Sequence, residues 1–298
     1  MLIGVDWGTT HLRAYLVGDD GAVMARARSA AGLMSVPAGG FETALGEAIA
    51  DLRAEAPDAP VVMSGMVGSR QGWVEAPYVA PPADLAALAA AAVVVDAPSI
   101  GDVSLVPGVA VGMDGGTWAD VMRGEETEIL GALHMLGLSD ATFVLPGTHS
   151  KRVRVEGGAI RHFRTYMTGD VYGAVSKGTI LSRTMGRGGS EEGFATGLAM
   201  ARELATAGDL LTRLFTIRAE GLMGRIADDE APDVLSGLLV GAEVASGAGE
   251  AREVVLVGAS DLAARYATAL GEFGVEVMAA PAEAAARGHA LVARERSR

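Results

Sequence analysis

The sequence predicts an α/β protein of two similar domains, each with a mixed sheet that opens with three antiparallel strands and is flanked by helices. Three observations carry this reading. In residues 2–17 an apolar run meets Asp6-Trp7-Gly8-Thr9-Thr10, and a second apolar run leads away through Arg13. A Gly-Asp-Asp-Gly turn and an alternating segment over 22–28 follow, so three strands joined by tight turns are expected. The same form returns later. Phe143-Val144-Leu145 runs into Pro146-Gly147-Thr148-His149-Ser150-Lys151, alternation resumes to Val155, and Gly157-Gly158 turns the chain into 159–166. A pattern recurring at this scale predicts an internal duplication. The third observation is size: 298 residues, half of them hydrophobic, suffice for two cores.

The other elements follow in order. Phe41, Ala44, Leu45, Ala48, Ile49 and Leu52 recur at helical spacing, and Pro57 and Pro60 end that helix. Val61-Val62-Met63 reads as a short buried strand. Residues 64–71 then form a glycine-bearing loop past its C-terminal end, where α/β sheets commonly receive ligands. Pro77, Pro81 and Pro82 mark an extended excursion, and Asp84 is placed to cap the alanine-rich helix after it. A strand over 103–106, a loop at Asp114-Gly115-Gly116 and a helix over 125–136 complete the first domain. Gly137, Ser139 and Asp140 break the pattern, so the expected domains are 1–138 and 139–298. In the second, Asp170 opens a helix to Leu181, and 186–190 is a glycine-rich connection. Pro232-Asp233-Val234 opens a helix with Leu235, Leu238, Leu239 and Ala242 on one face. The end alternates strand 253–257, helix 260–272, strand 275–279 and helix 281–294.

The turn after the first strand admits two readings. It can be an ordinary hairpin turn. It can also aim N–H groups and the Thr9 and Thr10 hydroxyls at a phosphate, with Asp6 holding Mg²⁺ through water. The second turn lacks the acid, because Leu145 stands where Asp6 stands in the first. One metal-associated carboxylate is therefore expected from the two turns.

Asp6-x-Gly8-Thr9-Thr10-x-x-Arg13 resembles the first phosphate motif of the actin-like ATPase superfamily, which includes hexokinase and the glycerol kinase group. Gly147-Thr148-His149-Ser150-Lys151 resembles its second phosphate motif, and Val254 through Gly258-Ala259-Ser260 its adenosine motif. Blocks in order along nearly the whole chain resemble the 2-dehydro-3-deoxygalactonokinase family more closely. They include Val5-Asp6-Trp7-Gly8-Thr9-Thr10, Gly65-Met66-Val67-Gly68-Ser69, Ala76-Pro77-Tyr78, Val121-Met122-Arg123-Gly124-Glu125-Glu126-Thr127, 146–151, 163–170 and 235–243.

The resemblance implies two actin-like (ribonuclease H-like) domains with ATP in the interdomain cleft. It implies transfer of the γ-phosphate to the C6 hydroxyl of 2-dehydro-3-deoxy-D-galactonate, with ATP and Mg²⁺ as cofactors. Gly8, Thr9, Thr10, Gly147, Thr148, His149, Ser150, Lys151, Gly258, Ala259 and Ser260 would then bind ATP. Asp6 would hold the metal, and Arg13 would lie near the γ-phosphate. Glu125 stands at the place of the catalytic base of the glycerol kinase group, which carries an Asp there; Glu126 and Glu128 are the neighbouring carboxylates. A sugar-acid carboxylate calls for cations and N–H groups. Arg123 is the first choice, with Gly65, Met66 and Ser69 from the loop, Trp73 and Tyr78 as walls, and Glu126 beside them. A kinase for a related sugar or sugar acid, and a nucleotide-dependent phosphate hydrolase or sensor on the same scaffold, remain as alternatives.

Composition excludes several classes. With 24 Lys+Arg against 37 Asp+Glu the net charge is −13, and no basic cluster supports a nucleic-acid surface. No cysteine is present, which removes disulfides, zinc–thiolate sites and thiol nucleophiles. The five histidines show no metal-ligand spacing. The longest apolar run, 85–95, is 11 residues, where a membrane span needs about 20. Asp6 interrupts the apolar N-terminal run, so no secretory segment is expected. The expectation is a soluble cytoplasmic protein acting on a small molecule, with no nucleic-acid or membrane partner. Self-association as a homodimer is left open.

Overall fold

The computed structural model describes residues 1–298 apart from Thr117, Ala248 and Ala259. The first part of the chain forms β1 (Leu2–Trp7), β2 (Leu12–Val17), β3 (Val23–Ser29), α1 (Phe41–Ala48), α2 (Ala50–Glu55), β4 (Val61–Ser64), β5 (Tyr78–Val79), α3 (Leu85–Ala90), β6 (Val93–Val95), β7 (Val103–Leu105), β8 (Gly108–Val111), β9 (Asp120–Met122) and α4 (Glu125–Leu136). Then come β10 (Ala141–Leu145), β11 (Ser150–Glu156), β12 (Ala159–Tyr166), α5 (Thr168–Gly178), α6 (Glu191–Arg202), α7 (Ala207–Leu222), α8 (Ala231–Ser246), β13 (Glu253–Leu256), α9 (Asp261–Glu272), β14 (Glu276–Ala279) and α10 (Ala284–Arg296).

Two sheets share one plan. The first runs β3-β2-β1-β4-β7-β6 and the second β12-β11-β10-β13-β14. Each places its first three strands in reverse order and adds the later strands beside the first. In the first sheet β1 pairs antiparallel with β2 and parallel with β4, Asp6 facing Arg13 on one side and Ser64 on the other. In the second, β10 pairs parallel with β13, and β13 with β14. A small third sheet, β5-β8-β9, carries the chain up to Arg123.

The chain divides into two compact units. One holds 1–141, 153–164 and 280–298; the other holds 142–152 and 165–279. In the first unit β1 is buried on both faces. Ile3, Val5 and Trp7 pack on Phe41, Leu45, Ile49 and Leu52 of the helical segment after β3. Leu2 faces the other way, toward Ala286 and Ala290 of α10. Strand alternation therefore directs Asp6 to the α10 side. Gly4 makes that face passable: a Cβ there would lie 2.9 Å from the His289 ring. The single boundary expected at 138/139 assigns α10 to the second half, whereas its packing on β1, β4, α3 and α4 assigns it to the first. Chain order could not reveal this, because α10 follows β14 directly.

In the second unit Val144, Val254 and Leu256 meet Phe194, Leu198, Val240, Val244, Tyr266 and Leu270 from α6, α8 and α9. The expected single apolar face of α8 is too narrow. The helix is buried along nearly its whole length, Asp233 and Glu243 included. Both polar side chains find partners, which makes their burial affordable.

Candidate active site

Three loops of the first unit converge at the C-terminal end of β1. Asp6 is the last residue but one of that strand, and Arg13 lies across the hairpin with Nη1 3.5 Å from its carboxylate. Gly65 follows β4 at φ +99°, and a Cβ there would come 3.4 Å from the Asp6 carboxylate. Gly124 precedes α4 at φ +107°, with room for a Cβ only 3.1 Å from the Gly65 Cα. Both positions need positive φ and close backbone approach, so glycine is the residue that fits. The first turn is braced from 32–34: Leu33 N–H donates to the Gly8 carbonyl and Met34 N–H to that of Thr9. Thr9, Thr10 and His11 are exposed, with Thr10 Oγ1 3.0 Å from His11 Nδ1.

The first turn of α4 adds carboxylates, a favourable location for negative charge. Burial raises the Asp6 pKa; Arg13 offsets this in part, and the charge of Glu125 raises it further. Burial, then Asp6 and Glu125, push Glu128 up to about 7. Glu125 accepts a hydrogen bond from Arg123 N–H at 3.0 Å. Glu126 is fully buried and accepts from Gly124 N–H at 2.7 Å and from Thr127 Oγ1 at 3.1 Å. Burial lifts it to about 8. The oxygen-only donors Asp6, Glu125 and Glu128 repel one another, and a hard divalent cation would relieve that repulsion. Among the described residues no three ligating side chains enclose a metal by themselves.

Beside these acids lies a buried cation. Arg123 is 8% exposed, stacks 4.4 Å over the Tyr78 ring and donates through Nη2 to the Ala76 carbonyl at 2.9 Å. Its Nε and Nη1 have no hydrogen-bond partner among the described residues, nor does the buried Ser69 hydroxyl. Nη1 reaches toward Gly68, where a Cβ would lie 3.0 Å from it. Tyr78, Arg123 and Ser69 of the expected set are thus brought together. Trp73 and Met66 are occupied elsewhere: Trp73 stacks on Phe41 at 6.4 Å, and Met66 packs on the core. The Glu126 carboxylate is turned onto backbone N–H groups and is not free to face a ligand.

The second unit holds a cavity of about 370 Å³, within the range of small-ligand pockets. Gly147, Thr168, Gly169, Tyr172, Gly188 and Asp233 are among its lining residues, with Arg265 and Tyr266 opposite. Asp233 pairs with Arg265 and accepts from Ser190 N–H at 2.8 Å, which ties the glycine-rich 186–190 connection to α8. Of the described residues expected at ATP, only Gly147 lines this cavity. Thr148 is exposed, and His149 pairs with Asp170 at 3.4 Å. Lys151 is buried and donates to the His149 carbonyl at 3.0 Å. The Ser150 side chain points into the protein and donates to Glu243. Gly258 has φ +112°, and Ser260 caps α9 by accepting from Ala263 N–H. Ala259 lies outside the described residues. Sequence reasoning missed Arg265 and Tyr266 because helical periodicity assigns α9 a packing role. No local signal pointed to them, because the partner of Arg265 is 32 residues away and that of Tyr266 is 23.

The profile of the 2-keto-3-deoxy-galactonokinase family matches residues 6–292. The chain belongs to this family. It is 38% identical to a Rhizobium meliloti (strain 1021) protein described as a probable 2-dehydro-3-deoxygalactonokinase, over 95% of this chain and 93% of that one. It is 35% identical to the 2-dehydro-3-deoxygalactonokinase of Escherichia coli (strain K12), over 95% and 94%. A crystal structure of a Sinorhizobium meliloti protein assigned to the same kinase superposes with a TM-score of 0.87 at 37% identity, covering 99% and 98% of the two chains. The activator of the 2-hydroxyisocaproyl-CoA dehydratase from Clostridium difficile shares the fold at a TM-score of 0.54 and 12% identity, over 99% of this chain and 96% of that one. The fold is therefore the actin-like one expected. A kinase family on this fold uses ATP and takes a small molecule as acceptor. No helix among the described residues is long and apolar enough to cross a membrane.

Proposed function

We propose that the chain transfers the γ-phosphoryl group of ATP to the C6 hydroxyl of 2-dehydro-3-deoxy-D-galactonate, releasing the 6-phosphate and ADP. The observation that carries this reading is Arg123. It is a buried guanidinium with two donor nitrogens unpartnered among the described residues, and its Nη1 reaches toward Gly68, the residue before Ser69, whose buried hydroxyl is likewise unpartnered. Unmade hydrogen bonds to a buried charge are costly, and a substrate carboxylate is the group that would complete them. In this reading Tyr78 and the Gly65–Ser69 backbone help to enclose the sugar acid. The first unit takes the acceptor and the second the nucleotide.

During transfer the substrate oxygen bonds to the γ-phosphorus as the bond from phosphorus to the β–γ bridging oxygen breaks. Glu125 receives the hydroxyl proton. Arg13, Thr9 and Thr10 bind phosphate oxygens on the first unit, and Gly147 and Thr148 do so on the second. Asp6 would hold Mg²⁺, which supplies charge neutralisation at the phosphates when bound. Glu128 is a second candidate for the proton, because a carboxylate near pKa 7 is matched to general-base work. We place the enzyme in the cytoplasm, where its nucleotide is supplied.

A coupled ADP-release assay tests the reading against 2-dehydro-3-deoxygalactonate, its gluconate epimer, neutral hexoses and glycerol. Preference for the galactonate compound is expected. Activity only on another acceptor discards the substrate but keeps the kinase. ADP release without any acceptor points to a hydrolase.

A further inference from the structure

The conspicuous block 235–243 has no task in the phosphoryl-transfer scheme, yet its last residue gathers an unusual set of bonds. Glu243, 7% exposed on α8, accepts from Ser150 Oγ at 2.6 Å, from Thr168 Oγ1 and from Tyr266 Oη at 2.5 Å. The three donors come from three different elements. Ser150 is the first residue of β11, directly after the 147–149 turn; Thr168 is the first of α5; Tyr266 is in the middle of α9. All three border the second unit's cavity. Thr168 and Tyr266 line it, and Ser150 closes the turn whose Gly147 lines it.

The same turn is held from α5 as well. Asp170 N–H donates to the Thr148 carbonyl at 3.0 Å, and a Cβ on Gly169 would lie 2.7 Å from the Gly147 carbonyl oxygen. Any shift of Thr168 therefore moves the turn. A carboxylate can accept three hydroxyl hydrogens at once, whereas an amide offers one accepting oxygen and an NH₂ group that must itself find acceptors. Burial raises the Glu243 pKa, and the hydrogen bonds from Ser150, Thr168 and Tyr266 and the charge of Arg152 offset this in part; Arg152 itself donates to the Gly247 carbonyl at 2.9 Å. Mere core filling would be met more cheaply by an apolar side chain. This site has a carboxyl group with three directed hydroxyl partners.

We propose that Glu243 is a positioning residue for nucleotide binding: its carboxylate locks the 147–149 turn, the start of α5 and the Tyr266 ring into the arrangement that accepts the nucleotide. The proposal rests on reading the cavity as the ATP site. Locking three elements in advance lowers the ordering cost that binding would otherwise carry.

The test is calorimetric titration of ADP into wild type, Glu243→Gln, Tyr266→Phe and Ser150→Ala, with steady-state kinetics on each. Glu243→Gln should weaken ADP and raise the ATP KM by about tenfold, since three ordered groups are released. The sugar-acid KM and the kcat at saturating ATP should stay within about threefold. Tyr266→Phe and Ser150→Ala should each show a smaller loss in the same sense, and they carry the test if Glu243→Gln does not fold. Folded variants with unchanged ADP affinity, or with both KM values and kcat altered alike, overturn the proposal. Wild type that binds no ADP removes the reading of the cavity, and the proposal with it.

Discussion

The two sheets carry the same strand plan with opposite electrostatics. In the first, Asp6 stands next to the last residue of β1, and the loops around it bring Glu125 and Glu128. In the second, β10 ends in buried Leu145, the adjoining cavity is lined by Arg187 and Arg265, and the acid Glu243 lies beneath it, fully engaged. A duplicated scaffold thus places a strand end and a turn in each half, and the residue at one position decides what that end does. The acid-tipped copy suits metal and proton handling; the apolar-tipped copy suits a nucleotide held by backbone and cations. Each unit also locks its main helices by glycine-to-glycine contact. Gly131 and Gly288 do so between α4 and α10, and Gly197 and Gly237 between α6 and α8.

Four tests break or sharpen this comparison. The largest effect is expected at the acidic end. Glu125→Gln should lower kcat by about 10²–10⁴-fold, the range of a lost general base, with ATP affinity within a few-fold in a direct binding assay. A larger effect in Glu128→Gln would move the proton to that residue. Next comes Arg123→Met, which fills similar volume without the charge. Loss of a desolvated ion pair should raise the sugar-acid KM by about 30- to 1,000-fold while the ATP KM holds, measured by initial rates.

The shared helix lock is the third target. A Cβ on Gly131 would lie 1.8 Å from the Ala284 carbonyl oxygen, and one on Gly197 2.2 Å from that of Val234. Gly131→Ala and Gly197→Ala should each cost about 1–3 kcal/mol and lower Tm by roughly 2–12 °C in a thermal melt. A neutral result in one unit alone would show that the device is not equivalent in the two.

The smallest effect is a pH dependence specific to the first unit. His289 is fully buried, its Nε2 2.9 Å from Ser64 Oγ, and burial pushes its pKa down to about 3. The folded state keeps the ring neutral, whereas the unfolded chain protonates near the ordinary 6.5. Unfolding therefore takes up a proton below that pH. Stability should fall by up to about 1.4 kcal/mol per pH unit as pH drops from 6.5 toward 3. Urea titrations at pH 7.5 and 5.5 measure this slope, and His289→Asn should flatten it.

The opening three strands, the helix starting at Glu125 and the α9–β14 end were legible because each is local: alternation, a glycine turn, a helical repeat. That Asp6, Arg13 and Glu125 would lie near one another was legible because motifs hold Asp6 and Arg13, and Arg123 and Glu125, in short stretches. The side-chain contacts of Trp73, Met66, Ser150 and Lys151 were not legible, for one reason. Their neighbours in sequence are site residues, but their side chains are taken up by packing or by hydrogen bonds inside the protein. Tyr266, Arg265 and Glu243 escaped because their partners lie 23 to 93 residues away.

By itself the sequence determined the α/β class, the duplicated strand plan, the kinase family and the acid at only one of the two strand ends. All follow from patterns within about a dozen residues, where backbone geometry and solvent preference dominate. Tertiary structure alone decided that α10 returns to the first sheet, that Arg123 is buried with donors to spare, and that Glu243 gathers three hydroxyls. Those outcomes depend on which distant side chains share a buried volume. There an unmatched charge or a misplaced Cβ costs more than any local preference can offset.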